Sequence, residues 1–358
     1  MRTTANNRNF NRGRFLKIMS KDMEEKRKCL LDSECSLEEK LEIFQEIIDS
    51  EVGDTTLLRA RNIEREVEFR QIYLKFEGGN PSGTQKDRIA FNQVMDALRR
   101  GFDAITVATC GNYGNAIALA SFIAGIRCVI FIPSTYHTEK ILDMESMGAE
   151  IRRVDGDYEK ALAVSSEFAG KEEIYDANPG GDNTTMQLQS YGQIAYEIYD
   201  ELRDAPWAVA APVSNGTTLA GIYKGFVSLY RRGKTSRLPH IVAGSSFGKN
   251  PIIKAFQSKS ERCDNIDPNH IRETRINEPL INWQSVDGDL VLEGIRQTDG
   301  WADHASDKKM LSFTRLIREK EGLNVIPAST AGLIALVEKN NRMPMPNDRF
   351  VAVLTGRR

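Results

Sequence analysis

The sequence has few cysteines and histidines for its length of 358 residues. Its five cysteines are widely spaced, form no CxxC pair and are accompanied by only four histidines. This pattern lacks the ligand spacing of a structural zinc site, so no metal site is predicted. Scattered thiols in odd number are typical of a reducing compartment, and we therefore expect a cytoplasmic protein with free cysteines.

Neither sign of charge dominates, and long apolar runs are absent. The 48 lysine and arginine residues nearly balance the 50 aspartate and glutamate residues, which argues against a nucleic-acid or membrane-surface binder. The most apolar run, from Ala116 to Pro133, is broken by Gly125 and Arg127 and predicts a helix followed by a strand rather than a membrane span. Residues 1–20 are basic and polar without the apolar segment of a secretory signal, so we expect a tail there.

Strands and helices are predicted to alternate along most of the chain. Near the N-terminus, Ser36 followed by Glu39 is a capping box within a helical region over residues 23–48. Short apolar runs predict strands at Ile72–Phe76, Ala104–Ala108, Cys128–Ile132, Glu150–Val154, Trp207–Ala211, Ile241–Ala243 and Phe350–Leu354. Amphipathic segments predict helices at Lys86–Arg100, Asn115–Ala124, Glu139–Met147, Tyr158–Ala169, Tyr191–Leu202 and Thr218–Tyr230. This alternation indicates an α/β fold with mostly parallel sheets.

A glycine-rich segment around Lys86 joins a predicted strand to a predicted helix. In open α/β sheets, ligands bind at the carboxyl ends of strands, where such loops lie. Lys86 falls at the start of the helix, and the positive end of a helix disfavours an ammonium group. A neutral, nucleophilic amine is what imine formation requires. The alternative interpretation is a solvated lysine in the first helical turn.

Two further loops have the composition of anion-binding turns. Residues 108–115 contain two glycines and Asn112, which would let backbone amides and a side-chain amide face an anion. They do not match GxGxxG, and a tight connection is the alternative. Residues 212–221 combine hydroxyls and glycine before a helix, which suits a phosphate dianion. No GK[ST] follows, so a Walker A loop is excluded, and a capped helix start is the alternative.

Taken in order, these segments resemble the fold type II, or tryptophan synthase beta-like, family of pyridoxal-phosphate enzymes, which includes threonine synthase, cysteine synthase and the serine/threonine dehydratases. Asn80–Arg88 resembles the family motif NPTGSFKDR, and Thr109–Asn115 resembles the asparagine loop SSGNTGN. Pro212–Thr218 resembles the phosphate loop, Glu321–Gly332 the EG…PASAA segment, and Leu354–Gly356 the strand end beside the pyridine nitrogen. The resemblance extends from about Val52 to the C-terminus.

The resemblance implies two open α/β domains with pyridoxal 5'-phosphate in the cleft between them. Residues 1–50 would form an N-terminal tail and helical extension. Residues 51–86 and 190–358 would form the larger cofactor-binding domain, and residues 87–189 a smaller mobile domain. A homodimer is expected on the same ground.

The resemblance also implies a role for each candidate site residue. Lys86 would hold the cofactor as a Schiff base and move the substrate's α-proton, and Asn112 would bond the cofactor's 3′-oxygen. Thr355 would place a neutral hydroxyl at the ring nitrogen, which favours elimination and replacement over transamination. The phosphate would be held by Ser214, Asn215, Gly216, Thr217 and Thr218. The substrate carboxylate would be bound by Thr109, Cys110, Gly111, Asn112 and Tyr113.

The implied reaction is elimination or replacement at the β- or γ-carbon of a small amino acid, closest to threonine synthase. Cysteine-synthase-like β-replacement and a serine/threonine ammonia-lyase remain as alternatives, as does a phosphometabolite-binding protein without catalysis. The chain departs from the family motifs at Thr84-Gln85, where threonine synthases have Ser-Phe, and at Cys110, which is usually serine. A family segment NPFRLEGQKT, whose arginine contacts a substrate phosphate, is matched only at Asn178-Pro179 and Gly192-Gln193.

Overall fold

The computed structural model describes residues 21–109, 111–134, 136, 140–270 and 273–358. Strands and helices alternate within these residues, as the sequence predicts. The helices are α1 (Lys21–Leu30), α2 (Leu37–Glu51), α3 (Arg61–Glu66), α4 (Lys86–Arg99), α5 (Asn112–Ala124), α6 (Lys140–Ser146), α7 (Tyr158–Glu172), α8 (Thr184–Leu202), α9 (Thr217–Arg231), α10 (Pro251–Gln257), α11 (Gly288–Gln297), α12 (Asp307–Glu321) and α13 (Ala331–Arg342). The strands are β1 (Leu57–Arg59), β2 (Ile72–Phe76), β3 (Ala104–Ala108), β4 (Arg127–Pro133), β5 (Glu150–Val154), β6 (Tyr175–Asp176), β7 (Ala208–Pro212), β8 (His240–Ser246), β9 (Trp301–Ala305) and β10 (Phe350–Leu354).

The chain divides into two compact units. The first unit contains the described residues up to Gly53 together with Asn80–Met186, and the second contains Asp54–Gly79 and Gln187–Arg358. Lys86 and the loop that precedes it therefore belong to the first unit, whereas the sequence analysis assigns them to the larger domain. The helices near the N-terminus also belong to the first unit instead of forming a separate extension.

In the first unit, a parallel sheet has the strand order β5-β4-β3-β6. All five residues of β3 are buried, as expected for a central strand covered on both faces. The N-terminal helices pack on this unit through aromatic side chains. Phe44 of α2 stacks on Phe91 of α4 with ring centroids 5.9 Å apart, and the Arg27 guanidinium lies 3.8 Å from the Phe122 ring centroid.

The helical region predicted over residues 23–48 is two helices, because the chain leaves helical geometry between Leu30 and Leu37. The predicted capping box marks the second start. The Ser36 hydroxyl accepts from the Glu39 amide at 3.3 Å, and the Glu39 carboxylate accepts from the Ser36 amide at 2.8 Å. The local signal at Ser36 was therefore correct, and the continuous helix across it was wrong.

In the second unit, the sheet has the order β1-β2-β10-β7-β8-β9. Strand β1 is antiparallel to β2, and the remaining neighbours are parallel. The fully buried run of β10 lies between β2 and β7, where a continuous apolar strand is expected. Helix α13 approaches the sheet closely, because a Cβ atom at Gly244 would lie 2.2 Å from the Ala331 carbonyl oxygen.

Parallel strands place their carboxyl ends at one edge of a sheet, and this arrangement groups the predicted loops within each unit. In the second unit, β7 leads into Ser214–Thr218 and the neighbouring β10 leads into Thr355. In the first unit, β3 leads into the loop at Thr109. No helix in the described part of the chain is long and apolar enough to cross a membrane, and its histidines, cysteines and carboxylates form no group that could hold a metal ion.

Candidate active site

Lys86 is positioned by a tight turn that the preceding polar residues stabilise. Gly83 adopts φ +92°, and its amide donates to the Asn80 carbonyl at 2.9 Å. The Asn80 side chain accepts from the Gly53 amide at 2.9 Å, which ties the turn to the end of α2. The Asp87 carboxylate accepts from the Ser82 amide at 2.8 Å. The turn therefore fixes the backbone position of Lys86, which is the first residue of α4.

The Lys86 amine lies in surroundings that disfavour its charged form. Burial lowers the pKa of Lys86 from 10.5 to about 8. The position of Lys86 at a helix start predicts a lowered pKa, and the structure gives desolvation as the cause. In the first unit, the aromatic ring of Tyr113 lies near this amine, with its centroid 5.8 Å from Lys86 Nζ. An amine of this kind is neutral in a substantial fraction near pH 8, as a nucleophile or proton acceptor must be.

The loop after β3 is organised by the Thr109 side chain. The Thr109 hydroxyl accepts from the amides of Gly111 and Gly114, each at 3.3 Å. The Thr109 amide donates to the Phe131 carbonyl at 3.0 Å, across to β4. Two of the amides predicted to meet a substrate carboxylate, those of Thr109 and Gly111, therefore have partners within the protein. Cys110, the remaining predicted residue before Gly111, lies outside the described residues.

Helix α5 begins at Asn112 and carries two of the predicted site residues. Gly111 is its N-cap residue and supplies no side-chain cap, so the helix start remains a potential anion site. Tyr113 is buried, and its hydroxyl donates to the Ala177 carbonyl at 2.7 Å. The Tyr113 side chain therefore holds the loop in place, and what it can offer a ligand is its backbone amide and the face of its ring.

The loop between β7 and α9 depends on a glycine that no other residue could replace without strain. Gly216 is the N-cap residue of α9 and has φ +91°. A Cβ atom there would lie 2.9 Å from Val291 Cγ2 and 3.1 Å from the Asp287 carbonyl oxygen. No side chain caps this helix start. Its backbone N–H groups are therefore available to an anion such as a phosphate.

A polar network that the sequence analysis missed supports this loop from residues 250–287. The Ser214 carbonyl accepts from Asn250 Nδ2 at 3.1 Å and from the Ser285 hydroxyl at 2.9 Å. The Asn215 side-chain oxygen accepts from Asn282 Nδ2 at 3.1 Å. Asn250 is the N-cap residue of α10, whereas Asn282 and Ser285 come from a polar, irregular stretch with no periodic pattern.

Thr217, one of the residues predicted to hold a phosphate, uses its hydroxyl for a contact within the protein. Its hydroxyl bonds to the Asp287 carboxyl, and Asp287 is buried. Burial raises the pKa of Asp287, and the Thr217 hydrogen bond opposes that rise. Thr217 thus contributes its backbone amide to the helix start, while its hydroxyl fixes the loop.

Thr355 follows β10 and is buried at the carboxyl edge of the sheet. The chain beyond it is held in place, because the Gly356 carbonyl accepts from the Ile326 amide at 3.1 Å. Arg357 donates to the Gly78 carbonyl at 2.9 Å. Within the second unit, Thr355 and the loop Ser214–Thr218 therefore follow adjacent parallel strands.

Taken unit by unit, the first unit offers an amine suited to an aldehyde, and the second offers groups suited to a phosphate and to an aromatic nitrogen. Lys86 has the lowered pKa that imine formation needs. The uncapped start of α9, with a glycine where a Cβ would collide, suits a phosphate. Thr355 offers a neutral hydroxyl for a ring nitrogen.

Comparison with known proteins assigns the family. A family model described as "Pyridoxal-phosphate dependent enzyme" matches residues 48–356. The chain belongs to this family, so it is an enzyme of the fold type II class and its cofactor is pyridoxal phosphate. The predicted family, enzyme class and cofactor are confirmed.

Relatives and solved structures agree with this assignment. The chain is 30% identical over 314 residues to a threonine synthase from Methanocaldococcus jannaschii, covering 85% of this chain and 74% of that protein. It is 28% identical to a threonine synthase from Methanosarcina acetivorans, covering 88% and 76% of the two chains. Among solved structures, maize serine racemase superposes with a TM-score of 0.71 at 18% identity, covering 89% of this chain and 94% of that one. The processed threonine deaminase isoform 2 from Solanum lycopersicum gives 0.70 at 15% identity, covering 91% and 90%. At such identities the two structures establish the shared fold alone.

Proposed function

We propose that this enzyme catalyses elimination or replacement at the β- or γ-carbon of a small amino acid, with threonine-synthase-like chemistry. The observation that carries the proposal is Lys86, whose pKa burial lowers to about 8 at the start of α4. The threonine synthases found at 28–30% identity support the choice of reaction. Membership of an enzyme family sets aside a binding protein without catalysis.

In this proposal each residue acts at a defined atom. Bound pyridoxal phosphate withdraws electrons from the substrate's α-carbon. Lys86 would hold the cofactor through its amine and would move the substrate's α-proton. Asn112 donates to the 3′-oxygen of the ring, and Thr355 bonds the ring nitrogen through its hydroxyl. A hydroxyl, unlike a carboxylate, does not keep the ring nitrogen protonated, and this favours elimination and replacement over transamination.

The remaining contacts hold the cofactor's phosphate and the substrate's carboxylate. The phosphate is bound at the start of α9 by Ser214, Asn215, Gly216, Thr217 and Thr218, with Thr217 contributing its amide. The carboxylate is bound in the segment Thr109, Cys110, Gly111, Asn112 and Tyr113. Within it, the amides of Asn112 and Tyr113 at the start of α5 suit this role, because those of Thr109 and Gly111 already donate within the protein. We also propose a cytoplasmic homodimer, which sedimentation and cell fractionation would test.

The test of Lys86 is the visible absorbance of the purified protein, before and after borohydride, beside Lys86→Ala and Lys171→Ala. Wild type is expected to show a violet band that borohydride abolishes, because reduction destroys a conjugated link to an amine. K86A is expected to lose this band. K171A is the matched control, since Lys171 is exposed and pairs with Glu167 at 2.6 Å, and it should keep the band. A band retained in K86A would contradict the assignment of Lys86.

Turnover then separates the candidate reactions. The panel comprises a phosphorylated homoserine, an O-acylated serine with a thiol, and serine and threonine alone. Threonine formation from the first supports the proposed reaction. Cysteine-type products would instead assign a β-replacing synthase, and release of ammonia from the last two an ammonia-lyase. Either of these results would replace the threonine-synthase-like reaction without changing the role of Lys86.

A further inference from the structure

The ammonium group of Lys140 contacts the side-chain oxygen Oδ1 of Asn112. Both residues belong to the first unit, and both are half-buried. A lysine ammonium carries only donors, so the amide atom that faces it must be the acceptor oxygen. The Asn112 amide is thereby oriented with its NH₂ group on the opposite side from Lys140.

Packing fixes Lys140 relative to Asn112. Lys140 is the first residue of α6, and Met144, one helical turn later on the same face, is fully buried. A Cβ atom at Gly114, two residues after Asn112, would lie 3.0 Å from Met144 Cε and 2.6 Å from Thr109 Cγ2. Helix α6 is therefore seated against the first turn of α5 by side-chain packing.

Helix stability does not explain the place of Lys140. The N-terminus of a helix carries partial positive charge, which disfavours a lysine in the first turn. The position instead places a positive charge against the side-chain oxygen of Asn112. Asn112 is the residue that the proposed function assigns to the cofactor's ring oxygen.

We propose that Lys140 is a positioning residue that orients Asn112 so that its NH₂ group donates to the ring oxygen of pyridoxal phosphate. The inference rests on the proposed function of Asn112. A cation bonded to the amide oxygen polarises the amide and makes its N–H groups stronger donors. The same charge favours the deprotonated, anionic form of the ring oxygen.

The test uses the cofactor-loaded protein with Lys140→Met, Lys140→Arg and the control Lys171→Met, an exposed lysine of the same unit. Two quantities are measured: the rate at which cofactor is lost on dilution, and the pH midpoint of the change in the visible band. K140M is expected to lose cofactor about tenfold faster, as one charge-assisted hydrogen bond implies. Its midpoint is expected to move to higher pH, because removing a nearby cation makes protonation easier. K140R should stay near wild type.

A double-mutant cycle with Asn112→Ala tests whether Lys140 acts through Asn112. In the N112A background, K140M is expected to change cofactor loss little. An equal effect in both backgrounds would overturn the positioning role, as would K140M behaving like K171M in both measurements. Thermal unfolding of the cofactor-free variants shows whether K140M folds normally. A wild type without the violet band, or K86A that retains it, would instead overturn the proposed function.

Discussion

At the scale of single residues, the sequence predicted candidate groups but not the partners that these groups have in the fold. Lys86, Asn112 and Gly216 were singled out because glycine-rich loops at helix starts have a recognisable composition. The contacts of Thr217 with Asp287, and of Asn112 with Lys140, join residues far apart in the chain. No local sequence pattern indicates such pairs. The sequence therefore could not predict that the Thr217 hydroxyl bonds to Asp287 or that Lys140 contacts the Asn112 side chain.

Asp287 gives a pH-dependent prediction. Burial raises its pKa above the unfolded value, so its favourable contribution to stability is present below the unfolded pKa of 3.8 and is lost as pH rises through the folded pKa. Asp287→Asn keeps an acceptor for the Thr217 hydroxyl but cannot ionise. We therefore expect D287N to be more stable than wild type at pH 7 and to lose this advantage toward pH 4.

Urea unfolding between pH 4 and pH 8 measures this difference. The control is Asp200→Asn, because the Asp200 side chain is 68% exposed and its substitution should change stability by less than about 0.5 kcal/mol. D287N that is less stable than wild type at pH 7, with no change in the difference toward pH 4, would contradict a raised pKa at this position.

At the scale of secondary-structure elements, buried strands were predicted to the residue where the apolar run is unbroken, as at β3 and β10. Strand β9 was missed because Asp303 and His304 interrupt its apolar pattern. Helix α8 begins at Thr184, seven residues before the predicted Tyr191, since its first turn is polar. The segment at residues 258–289 had no predicted structure, because long-range hydrogen bonds and not local propensity determine its path.

Gly216 gives a prediction about the loop before α9. Gly216→Ala requires a left-handed conformation at φ +91° and brings a Cβ atom within 2.9 Å of Val291. We expect it to destabilise the protein by about 2–3 kcal/mol and to weaken retention of the cofactor. The control is Gly233→Ala, beyond the other end of the same helix, at φ +65° with nothing within 4 Å of its Cβ position.

Comparing G216A with G233A isolates the effect of the close contacts around the Cβ position of residue 216. Both place alanine in a left-handed conformation, which disfavours a side chain by about 1 kcal/mol. Only G216A disturbs Val291 and the backbone of Asp287. Urea unfolding and the absorbance of the retained cofactor give the two readouts. Equal losses of stability and cofactor in G216A and G233A would show that the crowded contacts around Gly216 are unimportant.

At the scale of the whole molecule, the order of motifs along the chain predicted the family, because five weak motifs in sequence are jointly specific. The assignment of residues to units was harder to foresee. Residues 80–86 and the N-terminal helices belong with the first unit. Contacts between residues remote in sequence occur in both segments: the Gly53 amide donates to the Asn80 side chain, and Phe44 stacks on Phe91. For the stacking contact, the sequence shows only that Phe44 is an apolar residue at helical spacing, and it does not show the partner.

Phe44 tests whether the N-terminal helices are part of the folded core. It is fully buried and stacks on Phe91 of α4, whose first residue is Lys86. Phe44→Ala removes a buried aromatic ring and leaves a cavity, so we expect a loss of about 3–5 kcal/mol in the free energy of unfolding. Leu37→Ala on the same helix is the control, because Leu37 is 50% exposed and should change stability by less than about 1 kcal/mol.

Urea unfolding followed by far-ultraviolet circular dichroism gives both free energies, and the violet band reports the site in the same samples. If α2 is part of the core beneath α4, F44A will lower the midpoint for loss of the band together with that for loss of helix. If α1 and α2 are an appendage, F44A will lose part of its circular dichroism signal at lower urea concentration than wild type. The visible band will then persist to the wild-type midpoint. Persistence of the band to the wild-type midpoint would contradict this packing. It would show that the contact of Phe44 with Phe91 is not needed to keep α4, and with it Lys86, in place.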